Sequence, residues 1–429
     1  MNKNNENKLV PKLRFPEFLE DKEWQRTTIG DVGKFYYGKS APKWSLSDDA
    51  PTPCVRYGEL YTKFNTIIDK IYSKTNIDPS TLRFSKGGEI LVPRVGEVPQ
   101  DFAKHCCYLP FENIAIGEMI SVYETNEYPI FYAHYFRTLW REFAKVVEGQ
   151  NVKNLYYINL EPIVVGKPSY KEQQKIAACL SSLDEIITAE SQKLEVLKDH
   201  KKGLLQNLLP QAGETVPKFR FKEFEDSGEW VIKSVENNID LISGIALKSE
   251  ELSDDKSGTP ILRGINITEG EIRHSDEMDK FYLGAIENIE KYLVEEGDIV
   301  IAMDGSKVGK NVAMISSKDA GAILIQRVAR IRAINSDVKY LYQQFLSNRF
   351  RNYVDVVNTS SGIPHISAKQ IRDFEIGFPP NIKEHEKIAD TLSSIDDLIN
   401  AQNQKLESLQ LHKKGLLQGL FPNLNEVTA

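Results

Sequence analysis

The chain is short of the groups that metal binding, secretion and catalysis draw on. Its 429 residues include only four cysteines and seven histidines. Cys54, Cys106, Cys107 and Cys179 form no CxxC pair, and none has a histidine at ligand spacing. Neither a zinc site nor a disulfide framework is expected from such a pattern. No apolar run approaches the ~20 residues of a membrane span, and the opening MNKNNENKLV lacks the apolar core of a signal peptide. A cytoplasmic protein is expected. Also missing are an Asn-Pro-Pro-Tyr/Phe motif for amino methylation, a glycine-rich cofactor loop, and a helicase or nuclease carboxylate cluster. No catalytic residue, cofactor or metal ion is therefore expected in this chain. His105-Cys106-Cys107 has no supporting acid or base at useful spacing and reads as a buried strand. Positive charge is in slight deficit too, with 54 Lys and Arg against 61 Asp and Glu and a net charge of −7. That average counts against a nucleic-acid binder without excluding one, because basic residues gathered on one face coexist with acidic surface elsewhere.

What the sequence has in abundance is itself. Pro11-Lys12-Leu13-Arg14-Phe15, followed by Glu17-Phe18 and Glu23-Trp24, returns as Pro217-Lys218-Phe219-Arg220-Phe221, Glu223-Phe224 and Glu229-Trp230. Further on, Lys175-Ile176-Ala177 through Gln206 returns as Lys387-Ile388-Ala389 through Gln418, and the segments His200–Gln206 and His412–Gln418 are identical. Between these anchors the copies diverge, though Pro53-Cys54-Val55-Arg56 answers Pro260-Ile261-Leu262-Arg263 and Gly88–Val92 answers Gly297–Ile301. A fixed frame with divergent filling is how one scaffold reads two different things.

The interiors carry short apolar runs suited to buried strands: Ile90-Leu91-Val92, Ile299-Val300-Ile301 and Ile323-Leu324-Ile325. Val328–Arg332 alternates like a half-exposed strand, while Tyr128–Val147 and Val338–Val357 have helical patterning. Each copy closes on a heptad seam. The first passes through Leu183, Ile187, Glu190, Leu194, Leu197 and Lys201, and the second through Ile395, Ile399, Gln402, Leu406, Leu409 and Lys413. A sustained seam of this kind marks a coiled coil, and Pro210 and Pro422 stop the helices. Pairing polar seam positions with one another predicts an antiparallel register with Glu190 against Lys413 and Lys201 against Gln402.

Taken in order, these motifs resemble the specificity subunits of type I restriction–modification enzymes from Pro11 to Pro422. The motifs include Gly297–Ile301 before Gly305, Gln326–Ile331, Pro364-His365-Ile366-Ser367 leading to Pro379-Pro380, and the helix starts at Lys171 and Lys383. The resemblance implies an α/β (α+β) fold, with two target-recognition domains in pseudo-two-fold repeat separated by a long antiparallel two-helix coiled coil. The expected division is a disordered tail at 1–10, recognition domain 1 at 11–168, the first helix at 169–210 and a linker at 211–216. Recognition domain 2 then covers 217–380, the second helix 381–422, and a tail 423–429. Each domain would read one half of a bipartite duplex-DNA target, and the coiled coil would set the spacer. Two modification subunits using S-adenosylmethionine, and restriction subunits using ATP and magnesium, would supply the chemistry.

Base readout calls for Arg or Lys at guanine and for short polar groups on loops that reach the groove. Candidates in the first domain are Lys39, Ser40, Lys43, Arg56, Arg94 and Lys153, with Tyr36, Tyr37 and Trp44 nearby. In the second they are Lys248, Arg263, Ser306, Lys307, Lys310, Ser361 and His365. Arg56 and Arg263 occupy equivalent places after an apolar strand; a shared contact to the DNA backbone and a structural pairing within each domain are both open. Gly305–Lys310 is one residue short of a nucleotide-binding loop and has Asn311 where Ser or Thr belongs, so nucleotide binding is rejected. A turn facing DNA phosphate and a solvated hairpin tip remain alternatives. A rival function for the whole chain is a structural adaptor with two protein-binding domains; a stand-alone enzyme is disfavoured by the missing motifs.

Overall fold

A computed structural model describes residues 9–39, 41–211, 213–358 and 364–422. The chain forms two compact units, one of residues 1–192 with 403–429 and the other of residues 193–402. Two 39-residue helices, Tyr170–Leu208 and Ile382–Leu420, each contribute to both units.

In the first unit, β1 (Gln25–Thr28) pairs antiparallel with β12 (Val164–Lys167). A four-stranded sheet takes β2 (Gly33–Tyr37), β10 (Ile120–Thr125), β6 (Glu89–Pro93) and β8 (Cys107–Leu109) in that order. A second takes β4 (Ser73–Thr75), β3 (Thr52–Val55), β9 (Glu112–Ile116) and β5 (Phe84–Lys86), and β7 (Val95–Gly96) pairs with β11 (Lys153–Asn154). The second unit repeats the plan. β13 (Val231–Ser234) pairs with β21 (Glu375–Phe378). One sheet runs β14 (Ile239–Ser243), β20 (Val328–Ala333), β17 (Ile299–Ala302), β18 (Val312–Met314), and another runs β16 (Lys280–Tyr282), β15 (Thr259–Leu262), β19 (Ile323–Leu324). In both copies the central strand of the second sheet pairs in parallel with a later strand, β3 with β9 and β15 with β19.

Each core is closed by pieces of both long helices. In the first unit Ile176, Leu180, Leu420 and Phe421 pack with Trp24, Phe131 and Tyr135; in the second Leu208, Leu209, Ile388 and Leu392 pack with Trp230, Tyr340 and Phe345. Antiparallel running of the helix pieces follows from their ion pairs. In the first unit Asp184 pairs with Lys413 and Glu190 with Lys405; in the second Lys201 pairs with Asp396 at 2.6 Å. The register expected from polar seam matching is thus corrected. In place of Glu190 against Lys413 and Lys201 against Gln402, Glu190 pairs with Lys405, Lys413 with Asp184 and Lys201 with Asp396, a slip of about one heptad. In the observed register Lys201, Lys405 and Lys413 each meet a carboxylate, whereas the expected one leaves Lys201 facing the neutral amide of Gln402. Leu183, Leu194, Gln402 and Leu406 are buried, and Ile187, Glu190, Leu197, Lys201, Ile395, Ile399, Leu409 and Lys413 are half-buried.

Three local expectations also change. The helical stretch at Tyr128–Val147 is two helices, Pro129–Thr138 and Trp140–Lys145, broken at Leu139. Its counterpart breaks at Ser347, which is extended and caps the helix Asn348–Val357 through its hydroxyl. Val328–Ile331 is buried throughout rather than alternating, because Arg330 is neutralised by Asp240 at 2.7 Å. Of His105-Cys106-Cys107 only Cys107 lies in a strand; both cysteines are fully buried, and burial pushes the Cys107 thiol up to about 12.

Candidate nucleic-acid interface

In the first unit several strand ends meet on one rim, organised by the β9–β10 connection. Gly117 N–H donates to Val55 O at 2.9 Å, Lys39 N–H to Ile116 O at 2.8 Å, Gly38 N–H to Ile120 O at 3.0 Å and Arg94 N–H to Met119 O at 3.0 Å. These bonds bring Lys39, Arg56 and Arg94, which follow the ends of β2, β3 and β6, onto the same edge. β11 joins it through Leu155 N–H, which donates to Arg94 O at 2.8 Å, so Lys153 lies there too. The Lys153 ammonium donates to Gly149 O at 2.8 Å and closes its own turn.

Arg94 is boxed by rings. Its guanidinium lies 4.4 Å from the centre of Tyr37 and 5.4 Å from that of Tyr156, cation–π contacts of about 0.5–1 kcal/mol each. Burial raises the pKa of the Tyr37 hydroxyl, with Arg94 opposing the shift. Arg83 completes the patch, donating to Tyr37 O at 2.6 Å and lying 5.1 Å from the Tyr36 ring. Sequence reasoning missed it because it falls in the divergent interior, outside every repeated motif. Lys43 and Trp44 are exposed on a single turn anchored to β4 by Ser45 and Thr75 at 2.8 Å, away from the hub bonds. Ser40 lies outside the described residues.

The second unit builds the same rim from its β19–β20 connection. Ile325 N–H donates to Leu262 O at 3.2 Å, Ile245 N–H to Leu324 O at 3.0 Å, Gly244 N–H to Val328 O at 2.9 Å and Met303 N–H to Arg327 O at 2.8 Å. Ile366 N–H donates to Met303 O at 2.8 Å, as Leu155 does to Arg94. Position by position, Met303 stands where Arg94 does, Arg327 where Met119 does, and His365 where Asn154 does. Asp304, two residues beyond β17, hydrogen-bonds His365 Nδ1 and forms an ion pair with Arg327 Nε at 3.1 Å. The turn Gly305–Lys310 starts from the same place, with Gly305 N–H on Pro364 O at 3.0 Å. Ser306, Lys307 and Lys310 are exposed on it while Val308 is buried. Gly309 has φ +78°, and a Cβ there would lie 2.8 Å from Val354 Cβ, so the turn requires glycine twice over.

Arg56 and Arg263 sit in matching places ahead of short helical turns. Each donates its backbone N–H to a side chain three residues on, to Glu59 at 2.8 Å and to Asn266 at 3.1 Å. The Arg263 guanidinium also donates to Met278 O, tying it to its own unit. Lys248 is exposed beside Glu250 at 3.6 Å. Ser361 lies outside the described residues. Arg327, a rim cation that sequence reasoning did not single out, was visible only as part of the Gln326–Ile331 motif; its left-handed φ of +69° is not legible in sequence.

The model for the type I restriction modification DNA specificity domain matches the chain twice, over residues 21–199 and 227–411. The chain is similar to the type I restriction enzyme MjaVIII specificity subunit of Methanocaldococcus jannaschii, 24% identical over 95% of this chain and 93% of that one. Its fold is similar to the crystal structure of an S subunit from M. genitalium, with a TM-score of 0.62, 15% identity, and 97% and 100% of the two chains covered. It is also similar to a chain solved in work on complex assembly and conformational transition of the type I R-M system, with a TM-score of 0.53, 14% identity and coverage of 93% and 98%.

Proposed function

This chain belongs to the type I restriction modification DNA specificity family, and on that premise we propose that each unit reads one half of a bipartite duplex target through its strand-end rim. The observation that carries the reading is the rim itself. It is built twice with the same backbone pairing, yet its side chains differ at matching positions: Arg94 against Met303, Met119 against Arg327, Asn154 against His365. A common backbone positions two readers alike on DNA, and the differing side chains let them choose different bases.

Lys39, Arg56, Lys153, Lys248, Arg263, Lys307 and Lys310 supply phosphate contacts in this reading, and Arg94, Ser306 and His365 face base edges. The paired long helices set the spacer and dock two modification subunits, to which restriction subunits are added. The chain is non-catalytic: methyl transfer from S-adenosylmethionine, and cleavage driven by ATP and magnesium, belong to those partners. Deep burial of Cys106 and Cys107, which keeps both thiols protonated at neutral pH, fits that division.

The test is adenine methylation across the host genome with and without this gene. Loss of methylation at one bipartite motif with a fixed gap upon deletion is the expected result. If no motif changes and the reconstituted complex retards no DNA fragment selectively, the adaptor reading replaces this one.

A further inference from the structure

We infer that Arg327 is a base-reading residue of the second unit, its guanidinium aimed by Asp304 at a guanine in the major groove; this rests on the DNA-reading function proposed above. Four features of the rim converge on it.

The first is position. The two rims share their backbone bonds, so places where their side chains differ in hydrogen-bonding power are places where base choice differs. The site of Arg327 is Met119 in the first unit, which has no strong donor. There the cation stands instead on the neighbouring strand as Arg94, between Tyr37 and Tyr156. One rim thus presents a guanidinium from its turn and the other from its strand end.

The second is conformation. Arg327 has φ +69°, a left-handed region that residues with a Cβ occupy only at a cost in backbone energy. Glycine would fill it without strain. A long charged side chain kept there is the pattern of a residue retained for what its side chain does.

The third is orientation. Asp304, itself 20% exposed, engages Arg327 Nε while the Arg327 side chain remains 65% exposed. This ion pair draws the guanidinium to one side by charge, while most of the group, its Nη edge included, stays open to a ligand. Guanine O6 and N7 are the acceptor pair that such a fork matches.

The fourth is the neighbourhood. Asp304 also holds His365 Nδ1, which leaves Nε2 on the side of the ring away from the carboxylate. Exposed Lys307 and Lys310 lie on the turn that begins one residue after Asp304. Point charges suited to phosphate thus flank an oriented fork suited to a base.

The test uses the full-length chain reconstituted with its modification subunits and a duplex library randomised in sequence, bound duplexes being sequenced. Arg327→Lys keeps the charge but loses the fork, and Arg327→Gly suits the left-handed backbone. Each is expected to lower the preference for one base pair, in one half-site only, by about 10- to 100-fold. Asp304→Asn should relax the same position, whereas Lys307→Ala should weaken all sequences alike. Full preference retained by Arg327→Lys, or equal weakening on every sequence, overturns the assignment, because either result takes the fork off the bases. If the wild-type complex enriches a bipartite motif, the DNA-reading function stands whatever the variants do; if it enriches none, both proposals fall together.

Discussion

Arg14 and Glu172 form a two-point ion pair, with Nε and Nη2 each 2.8 Å from a carboxylate oxygen and the side chains 6% and 1% exposed. The bond to Glu172 raises the pKa of the arginine. The same pair is built in the second unit by Arg220 and Glu384, at 2.7 and 2.8 Å. Around it the other repeated letters find their uses. Lys175 meets Glu17 at 2.9 Å as Lys387 meets Glu223, and Leu13 N–H donates to Gly419 O as Phe219 N–H does to Asn207 O, both at 2.8 Å. The PKxRF segment is therefore a buckle that fastens the start of one long helix and the end of the other within each unit.

Cutting the buckle on one side leaves a buried carboxylate alone. Arg14→Ala or Arg220→Ala is expected to cost about 3–5 kcal/mol, whereas replacing both partners with apolar residues of similar volume costs much less. Urea denaturation of the single and double variants checks this. Equal losses for single and double variants would show that packing, not charge, holds the segment.

Gly166 and Gly377 lie under the two repeated tryptophans. A Cβ at Gly166 would stand 2.8 Å from Trp24 Cε3, and one at Gly377 would stand 2.8 Å from Trp230 Cε3. Both rings are buried, so neither can swing aside cheaply. Gly166→Ala and Gly377→Ala are each expected to destabilise by about 1–3 kcal/mol through overpacking. Thermal unfolding with tryptophan fluorescence reads both.

His134 is buried beside Ser181, and burial, with a smaller effect of Lys413, lowers its pKa to about 3. The unfolded chain would protonate this ring near 6.5 while the folded chain does not. Stability from the neutral ring is thus fully present above pH 6.5 and is lost as pH falls below it, at up to ~1.4 kcal/mol per pH unit. In the second unit the corresponding side chain is Gln343, which cannot titrate and bonds Asp396 at 2.7 Å. His134→Gln should flatten the stability profile between pH 6.5 and 4.5, above the range where most carboxylates titrate. An unchanged slope in urea titrations would assign that pH dependence elsewhere.

Legibility followed whether a feature depends on residue type or on backbone and partner. Trp24 and Trp230, Arg14 and Arg220, and the heptads were readable because the copies agree on letters that only burial, charge pairing or helix packing uses. Strands β6 and β17 were readable from apolar runs alone. The helix register was not, since Asp184 and Asp396 lie beside the seam and their lysines come from the far helix. Arg330 looked exposed until Asp240, 90 positions away, arrived to neutralise it. The rim was half legible: Arg94 and His365 stand at strand ends or in motifs, but Arg83 depends on a ring contact and Arg327 on a positive φ. On the function proposed above, base choice falls where the copies diverge, and there a repeat offers no second instance to compare.

Phe421 follows the second long helix yet belongs to the first unit's core. It is 3% exposed, stacked on Tyr135 at 4.8 Å and set against Phe131 at 5.5 Å and Trp24 at 6.3 Å. Leu209 takes the corresponding place in the second unit, among Trp230 and Tyr340. An aromatic pocket loses both area and edge contacts when its central ring is removed, so Phe421→Ala is expected to cost about 3–5 kcal/mol. Phe421→Leu, which copies the other unit's choice, should recover part of that loss and leave a void beside Tyr135. Hydrogen exchange of the helix Pro129–Thr138 gives the local readout: protection there should fall in Phe421→Ala and partly return in Phe421→Leu. Protection that falls equally in both variants would mean that ring stacking, rather than filled volume, holds the end of the second helix against the first unit.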